Sequence, residues 1–566
     1  MQACWLAALI LPLYTCSLPL AGATRAPKDR PNFIMLFVDD LGYGDVGFTG
    51  HPTTQTPNID KLAMGGKVLT TWYSGCPVCT GSRAALMTGR QYPRSGVAGV
   101  FPVATSGGLP LNETTVAEVL KKGDYATGIV GKWHLGQRHV YLPGNRGFDQ
   151  YLGIPFSDDM GNARASPCSD KDVRSCSSSS CELNGKNLST ALDQYRDMGY
   201  VLPDALENVE DPGAALLPLV HQSNGSTHVL EQPLDFTHLG EKYNAFAVNF
   251  IHENKDRPFF LYVPFSHVHT TAGNQPEKQY AGCPFKNTTA RGPFGDALAE
   301  VDWMVGNIHN AVVDAGIEKN TLILFSSDNG PWLIQGLSGG STGLFAGTFS
   351  GHWNIGKGST WEGGIREPAF AYWKGQIKPL SRTSEVMSSM DLLPTLATLA
   401  NLPLPADRVY DGRDMGDILF DKGPSRHKFL FFYGGCMQQL IEKGPAAVRY
   451  GPWKAHWCTG PGIGGGFPVK FYNASTPLLF RIDKDPAESS PVNPSGGLPQ
   501  DPEAKRALAE IYEAYLVERQ TFVYGHLVPE PDEPGEGPDR YAVCCDRAKA
   551  CDCNGPPSTA EHLLSV

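Results

Sequence analysis

Beyond its first 23 residues this chain of 566 has no apolar run long enough to cross a bilayer, which argues against a membrane-spanning protein. It is short of basic residues. Lys and Arg number 47 against 58 Asp and Glu, a formal charge of −11. That balance argues against a nucleic-acid partner, and an anionic substrate must be captured by local positive charge because the global field repels it. No internal repeat is visible, which sets aside a solenoid or propeller. Lys and Arg are also missing at the extreme N-terminus, where a secretory leader usually carries one. Residues 4–20 are nonetheless mostly apolar, Pro12 and Pro19 interrupt them, and Ala21-Gly22-Ala23 fits a small-x-small cleavage site. Residues 1–23 therefore read as a signal peptide, not as a transmembrane anchor.

What is present fits a secreted glycoprotein. Five Asn-x-Ser/Thr sequons follow the leader, at Asn112, Asn187, Asn224, Asn287 and Asn473. Twelve of the 14 cysteines lie beyond the leader, and an oxidising compartment pairs most of them. The tail Cys544-Cys545-x5-Cys551-x-Cys553 has the look of a zinc cluster, but in a secreted chain disulfide staples are the preferred reading.

Short apolar strands alternate with helices, which predicts an α/β fold. Strands are expected at 32–38, 126–130, 259–263 and 321–325. Helices are expected from Thr56-Pro57 to Gly65-Gly66, after the capping box Thr115-x-x-Glu118, over 239–252, and along the stripe Leu298, Val301, Val305, Ile308 and Val312. Residues 156–230 are rich in Ser, Asn, Asp and Cys and read as a disulfide-bearing insertion with weak regular structure. The Gly/Ser/Thr-rich run 336–351 reads as a mobile loop over a site. After residue 425 the pattern changes to short strands and one amphipathic helix at 503–522, a smaller antiparallel sheet.

Each of the four strands ends in polar residues: Asp39-Asp40, Gly131-Lys132-Trp133-His134, His267-Val268-His269 and Asp328-Asn329. Ligands bind at the carboxyl ends of strands in open α/β sheets, so these groups are candidates to converge. Asp39, Asp40, Asp328 and Asn329 are oxygen donors and suit a hard cation such as Ca²⁺ or Mg²⁺ better than zinc. Taken alone, an Asp-Asp pair after a strand is more often a cap or turn. Lys132, His134, His269 and Lys357 supply positive charge and protons, and the glycines flanking Lys357 let backbone approach a ligand closely.

The run Cys79-Thr80-Gly81-Ser82-Arg83, continuing to Thr88-Gly89-Arg90, resembles the sulfatase signature, with Gly81 where that family usually has proline. Asp39-Asp40-Leu41-Gly42-Tyr43-Gly44-Asp45, Gly131 to Gly136, Ser327 to Pro331, and Gly356-Lys357-Gly358 with Glu362-Gly363-Gly364 extend the likeness, which is strongest to the arylsulfatase A branch. The resemblance implies an alkaline-phosphatase-like fold: a large mixed sheet sandwiched by helices, with a smaller C-terminal antiparallel sheet and a helix. It implies a catalytic domain at 24–424 and a minor-sheet domain with a Cys-rich tail at 425–566. It further implies that a formylglycine-generating enzyme converts Cys79, that Asp39, Asp40, Asp328, Asn329 and the converted Cys79 hold one Ca²⁺, and that Arg83 stabilises the formylglycine. Lys132, Lys357 and Ser157 would bind sulfate, His134 would orient the hydrated aldehyde, and His269 would protonate the leaving alcohol.

The reading preferred from the sequence is a sulfuric ester hydrolase of arylsulfatase type, lysosomal or extracellular, acting on a sulfated small molecule, glycolipid or polysaccharide. The alternative is an unconverted sulfatase-like glycoprotein that binds sulfated polysaccharide in a matrix. Gly81, and a Cys76–Cys79 disulfide that would block conversion, are the features on which that alternative rests. A phosphatase of the same superfamily is disfavoured because such enzymes use Ser or Thr as nucleophile with two zinc ions. Self-association into a homo-oligomer stays open.

Overall fold

The computed structural model describes residues 30–97, 99–103, 105–168, 216–272, 278–436, 444–494 and 496–526. The leader of residues 1–23, Asn187, Cys176, Cys181 and the four tail cysteines lie outside these residues.

The strand β1 (Asn32–Val38) is buried along its whole length, so both of its faces need apolar cover. Side chains alternate across a strand, and the two sets enter separate cores. Phe33, Met35 and Phe37 pack with Leu86 of α2 (Cys79–Thr88), Leu120 of α3 (Val116–Lys121) and Leu396 of α6 (Leu392–Leu399). Ile34, Leu36 and Val38 pack with Leu62 of α1 (Pro57–Gly65), Phe250 of α4 (Leu239–Asn254) and Val305 of α5 (Pro293–Asp314). The result is a sheet between two helical layers, each buried side chain contributing roughly 1.5–3 kcal/mol.

Among the described residues the sheet has ten strands. In chain order they are β1, β2 (Lys67–Leu69), β3 (Ala126–Val130), β4 (Gln150–Gly153), β5 (Leu219–Ser223), β6 (Ser226–Glu231), β7 (Phe259–Pro264), β8 (Thr321–Ser327), β9 (Phe370–Tyr372) and β10 (Ser381–Thr383). Their spatial order is β10-β2-β9-β8-β1-β7-β3-β4-β5-β6. The central five, β8-β1-β7-β3-β4, are mutually parallel, and antiparallel pairs flank them. All four expected strands lie in this parallel group, so their carboxyl ends share one edge.

The capping box of Thr115 and Glu118 forms. At α1 the cap differs from expectation. The Thr56 hydroxyl is taken up by Gly47 N–H and Asp60, and Asp302 of α5 accepts the N–H groups of Asn58 and Ile59 instead. The 156–230 region also carries more order than expected: β5 and β6 form a hairpin that extends the sheet. Asn224-Gly225 makes its two-residue turn with φ of 50° and 76°, the left-handed values that Asn-Gly accepts readily. Within 336–351, Gly44 N–H donates to the Ser341 carbonyl at 3.0 Å and Phe345 packs on Tyr43 at 4.5 Å, so this loop is tied to the segment after β1.

The smaller sheet is antiparallel, in the order β11 (Phe429–Phe432), β12 (Ala447–Tyr450), β13 (Trp453–His456), β14 (Leu478–Arg481). The helix α7 (Pro502–Thr521) covers one face through Leu508, Ile511 and Tyr515, and Tyr515 stacks on Trp457 at 3.8 Å. Disulfides join Cys168 to Cys283 and Cys436 to Cys458. Among the described residues no helix is long and apolar enough to cross a membrane.

Candidate active site

Cys79 opens α2, and Val78 before it is extended, so the thiol sits at the electropositive end of a ten-residue helix. Arg83 follows one turn later and therefore shares its face. The site's other groups come from the sheet's carboxyl edge.

Asp39 is the hub. Cys79 Sγ lies 3.8 Å from its Oδ1, while Oδ2 receives Arg83 Nη2 at 3.1 Å and Lys132 Nζ at 2.5 Å. Arg83 reaches Asp328 Oδ2 at 2.9 Å and the Lys132 carbonyl at 2.8 Å, so one guanidinium ties the ends of β1, β3 and β8 together. Lys132 also donates to Ser157 Oγ at 3.0 Å. A second cluster surrounds Asp40. Lys357 Nζ lies 2.7 Å from its Oδ1 and 2.9 Å from His269 Nε2. Asn329 Nδ2 donates to Asp40 Oδ1 at 2.7 Å, and Asp40 N–H donates to Asp328 Oδ1 at 3.1 Å. Every one of these side chains is buried.

Burial pushes the Asp39 carboxyl up, but Lys132 and Arg83 outweigh it and hold Asp39 well below the usual range. Asp328 goes the other way, pushed up to about 7 by burial and by the charge on Asp39, which Arg83 only partly offsets. Burial and Lys357 depress His269, yet Asp40 and Asp159 outweigh them and hold the imidazole well above its ordinary value. Asp40, Asp39 and Asp328 likewise hold Lys357 charged despite its burial.

His134 stands apart from this hydrogen-bond network. Its Nε2 pairs with the Phe101 carbonyl at 3.0 Å, its Nδ1 is buried without a partner, and burial with Lys132 nearby holds it neutral. The sequence reading missed Asp158, whose Oδ1 lies 3.2 Å from His269 Nδ1. The strand-end rule that found the other groups would have found it, since Ser157-Asp158-Asp159 follows β4. Trp332 was also missed; Lys357 Nζ lies 4.8 Å from the centre of its ring.

Cys76 and Cys79 are both free thiols, so the disulfide between them is not formed. Gly81 lies directly beneath Cys76: a Cβ at position 81 would come within 2.4 Å of Cys76 Sγ. Burial pushes that thiol up to about 12 and keeps it protonated. Asn112, Asn224, Asn287 and Asn473 are all exposed.

The buried cations Arg83, Lys132 and Lys357, with His269 beside them and a helix N-terminus at Cys79, make a cage suited to a tetrahedral oxyanion ester. Comparison with known proteins agrees with this chemistry. The sulfatase family model matches residues 31–402, and the model for the C-terminal region of aryl-sulfatase matches 425–553. The chain is 38% identical to arylsulfatase A of Homo sapiens over 560 residues, covering 95% of this chain and 99% of that one. It is 35% identical to arylsulfatase G of Rattus norvegicus, over 87% and 88% of the two chains. Among solved structures, the PsFucS1 sulfatase from Pseudoalteromonas sp. superposes with a TM-score of 0.67 at 28% identity, covering 88% of this chain and 92% of that one. The chain belongs to the sulfatase family and is a sulfuric ester hydrolase.

Proposed function

We propose that this sulfatase cleaves sulfate esters of aryl, sugar or glycolipid alcohols through a formylglycine hydrate made from Cys79, with Ca²⁺ as its cofactor. The observation that carries the reading is the shared carboxylate of Asp39, which meets Cys79, Arg83 and Lys132 at once.

The donor set fits a hard cation. Asp39, Asp40 and Asp328 offer carboxylate oxygens, and Asn329 Oδ1 is a buried carbonyl oxygen with no hydrogen-bond partner. These four residues, with the converted Cys79, would hold Ca²⁺, which when bound lowers the pKa of the attacking hydroxyl and offsets developing negative charge. Converted, Cys79 offers a geminal diol, one hydroxyl to attack sulfur and a second whose collapse to the aldehyde releases sulfate without a further hydrolytic step.

The remaining roles belong to the chain's own side chains. Lys132, Ser157 and Lys357 bind the sulfate oxygens, and Arg83 fixes Asp39 and Asp328. His134 orients the diol. His269 gives its proton to the leaving oxygen, a step that matters most for aliphatic alcohols, which leave poorly unaided. Exposed sequons and the Cys168–Cys283 and Cys436–Cys458 disulfides support maturation in the secretory pathway, with lysosomal or extracellular residence.

Mass spectrometry of the tryptic peptide ending at Arg83 tests the reading. Conversion of Cys79 should coincide with aryl sulfate hydrolysis that Cys79→Ala abolishes. Intact cysteine throughout the population would overturn it and leave a glycoprotein that binds sulfated polysaccharide without turnover.

A further inference from the structure

Arg449, the third residue of β12, is only 6% exposed, yet its Nε and Nη1 have no hydrogen-bond partner. A buried guanidinium in that state is costly, because it has lost water without gaining acceptors. The nearby carboxylates are already engaged. Glu362 accepts from Tyr73, Arg366 and Lys454, while Glu488 accepts from Lys454 and from Glu362 N–H and pairs with His456. Arg366, Lys454 and Arg449 thus face two carboxylates, and Arg449 is the surplus charge.

A cavity of about 540 Å³ opens beside it, in the seam between the main body and the C-terminal sheet. Arg449, Arg366, Tyr43, Thr70, Thr71 and Ser384 contribute its polar lining. Arg366 is held in place by donating to the Thr70 carbonyl, Thr71 Oγ1 and Glu362. Leu344, Pro452 and Ile482 supply apolar wall. The one acid on the lining, Asp483, lies 3.2 Å from Arg481 Nε and is 44% exposed. No residue of the Cys79 cage contributes to the cavity.

We propose that this seam is a second anion site, centred on Arg449, that takes a sulfate group. A guanidinium fork matches two oxygens of a tetrahedral oxyanion, and Arg449 and Arg366 both line the cavity in which one would sit. The cavity's size and hydroxyl lining leave room for a sugar ring behind the sulfate, so free sulfate and a sulfate ester on a sugar share the chemistry.

The test is calorimetric titration of inorganic sulfate, and separately of a disulfated disaccharide, into the full-length glycoprotein carrying Cys79→Ala. The expected result is a binding step, separate from that of the Cys79 cage, that Arg449→Met weakens roughly 10- to 100-fold. Arg449→Lys, which keeps the charge and loses the fork, should weaken it less. Tighter binding of the disaccharide than of sulfate would identify an ester as the ligand, and equal or weaker binding would identify the free ion. Crystals soaked in selenate should show an anomalous peak at Arg449. Unchanged titrations in both variants, or water alone beside Arg449, would overturn the proposal. In the Cys79-containing protein, Arg449→Met should leave 4-nitrophenyl sulfate hydrolysis intact. Failure of that hydrolysis in the unsubstituted protein would count against the catalytic reading and leave the Arg449 titration to stand or fall separately.

Discussion

Position 81 shows how a departure from a motif reads differently in sequence and in space. In the sequence, glycine in place of proline is a weakened recognition element for the enzyme that modifies Cys79. In the fold, Gly81 is the surface on which Cys76 rests, and the two residues are complementary. Helix propensity alone favours alanine over glycine by about 1 kcal/mol. The 2.4 Å approach to Cys76 Sγ reverses that sign, because overpacking a closed core costs roughly 1–3 kcal/mol. Gly81→Ala is therefore expected to destabilise the protein by about 1 kcal/mol in urea unfolding, and in a Cys76→Ala background the cost should fall by half or more. An equal cost in both backgrounds would show that the thiol is not the obstacle. Cys79 and Arg83 were legible because the run from Cys79 to Arg90 resembles the sulfatase signature; that four residues of helix put them on one face is what the fold adds. The Gly81–Cys76 contact was not, since nothing in five adjacent letters shows which side chain fills a vacancy.

Single elements were legible where one local rule decides them. The buried strands announced themselves as apolar runs, and their polar endings come together in the candidate site because parallel strands share an edge. The hairpin β5–β6 was missed although Asn224-Gly225 is a strong turn signal, since those letters also spell a sequon and sit in a polar stretch. The cap of α1 could not be read at all, because Asp302 lies 244 residues from Asn58. That cap has a pH signature. Burial pushes the Asp302 carboxyl up to about 6 against the N–H groups and Asn58 amide that favour its ionised form. A raised acid pKa means the folded state keeps its proton after the unfolded chain has lost it. Stability from this group is present in full below about pH 4 and is lost as pH rises through 6, by about 3 kcal/mol at most. Urea unfolding of the wild type and Asp302→Asn at pH 4.5 and pH 7 should differ, with the asparagine variant losing less stability between the two. Parallel behaviour would mean Asp302 does not titrate in this window.

Across the whole molecule, the C-terminal sheet is joined to the main body by a buried ionic seam that no sequence pattern foretells, because its partners come from distant segments. Lys454 Nζ, fully buried on β13, lies 2.8 Å from Glu362 Oε1 and 3.2 Å from Glu488 Oε1, and Glu488 also accepts from Glu362 N–H at 2.6 Å. Lys454 and Arg366 hold Glu362 ionised well below the usual range despite the burial that opposes it. Glu362 follows Lys357 by five residues, and Ile463 N–H donates to the Lys357 carbonyl at 2.8 Å, so the C-terminal part also supports the loop that carries a proposed sulfate ligand. Lys454→Met keeps the length of the side chain but removes the cation that bridges the two carboxylates, leaving Glu362 to Arg366 and Tyr73 and Glu488 to His456 and the Glu362 N–H, which should cost about 3 kcal/mol and lower the melting temperature. It should also reduce aryl sulfate hydrolysis although Lys454 has no part in the proposed chemistry. Adding Glu488→Gln to Lys454→Met removes the carboxylate left without a cation and should recover part of the stability. Activity should return only as far as the Lys357 loop regains its place. If Lys454→Met melts like the wild type, the seam's ion pairs are not what holds the two sheets together, and the apolar contacts of Trp361, Phe480 and Ile482 must suffice.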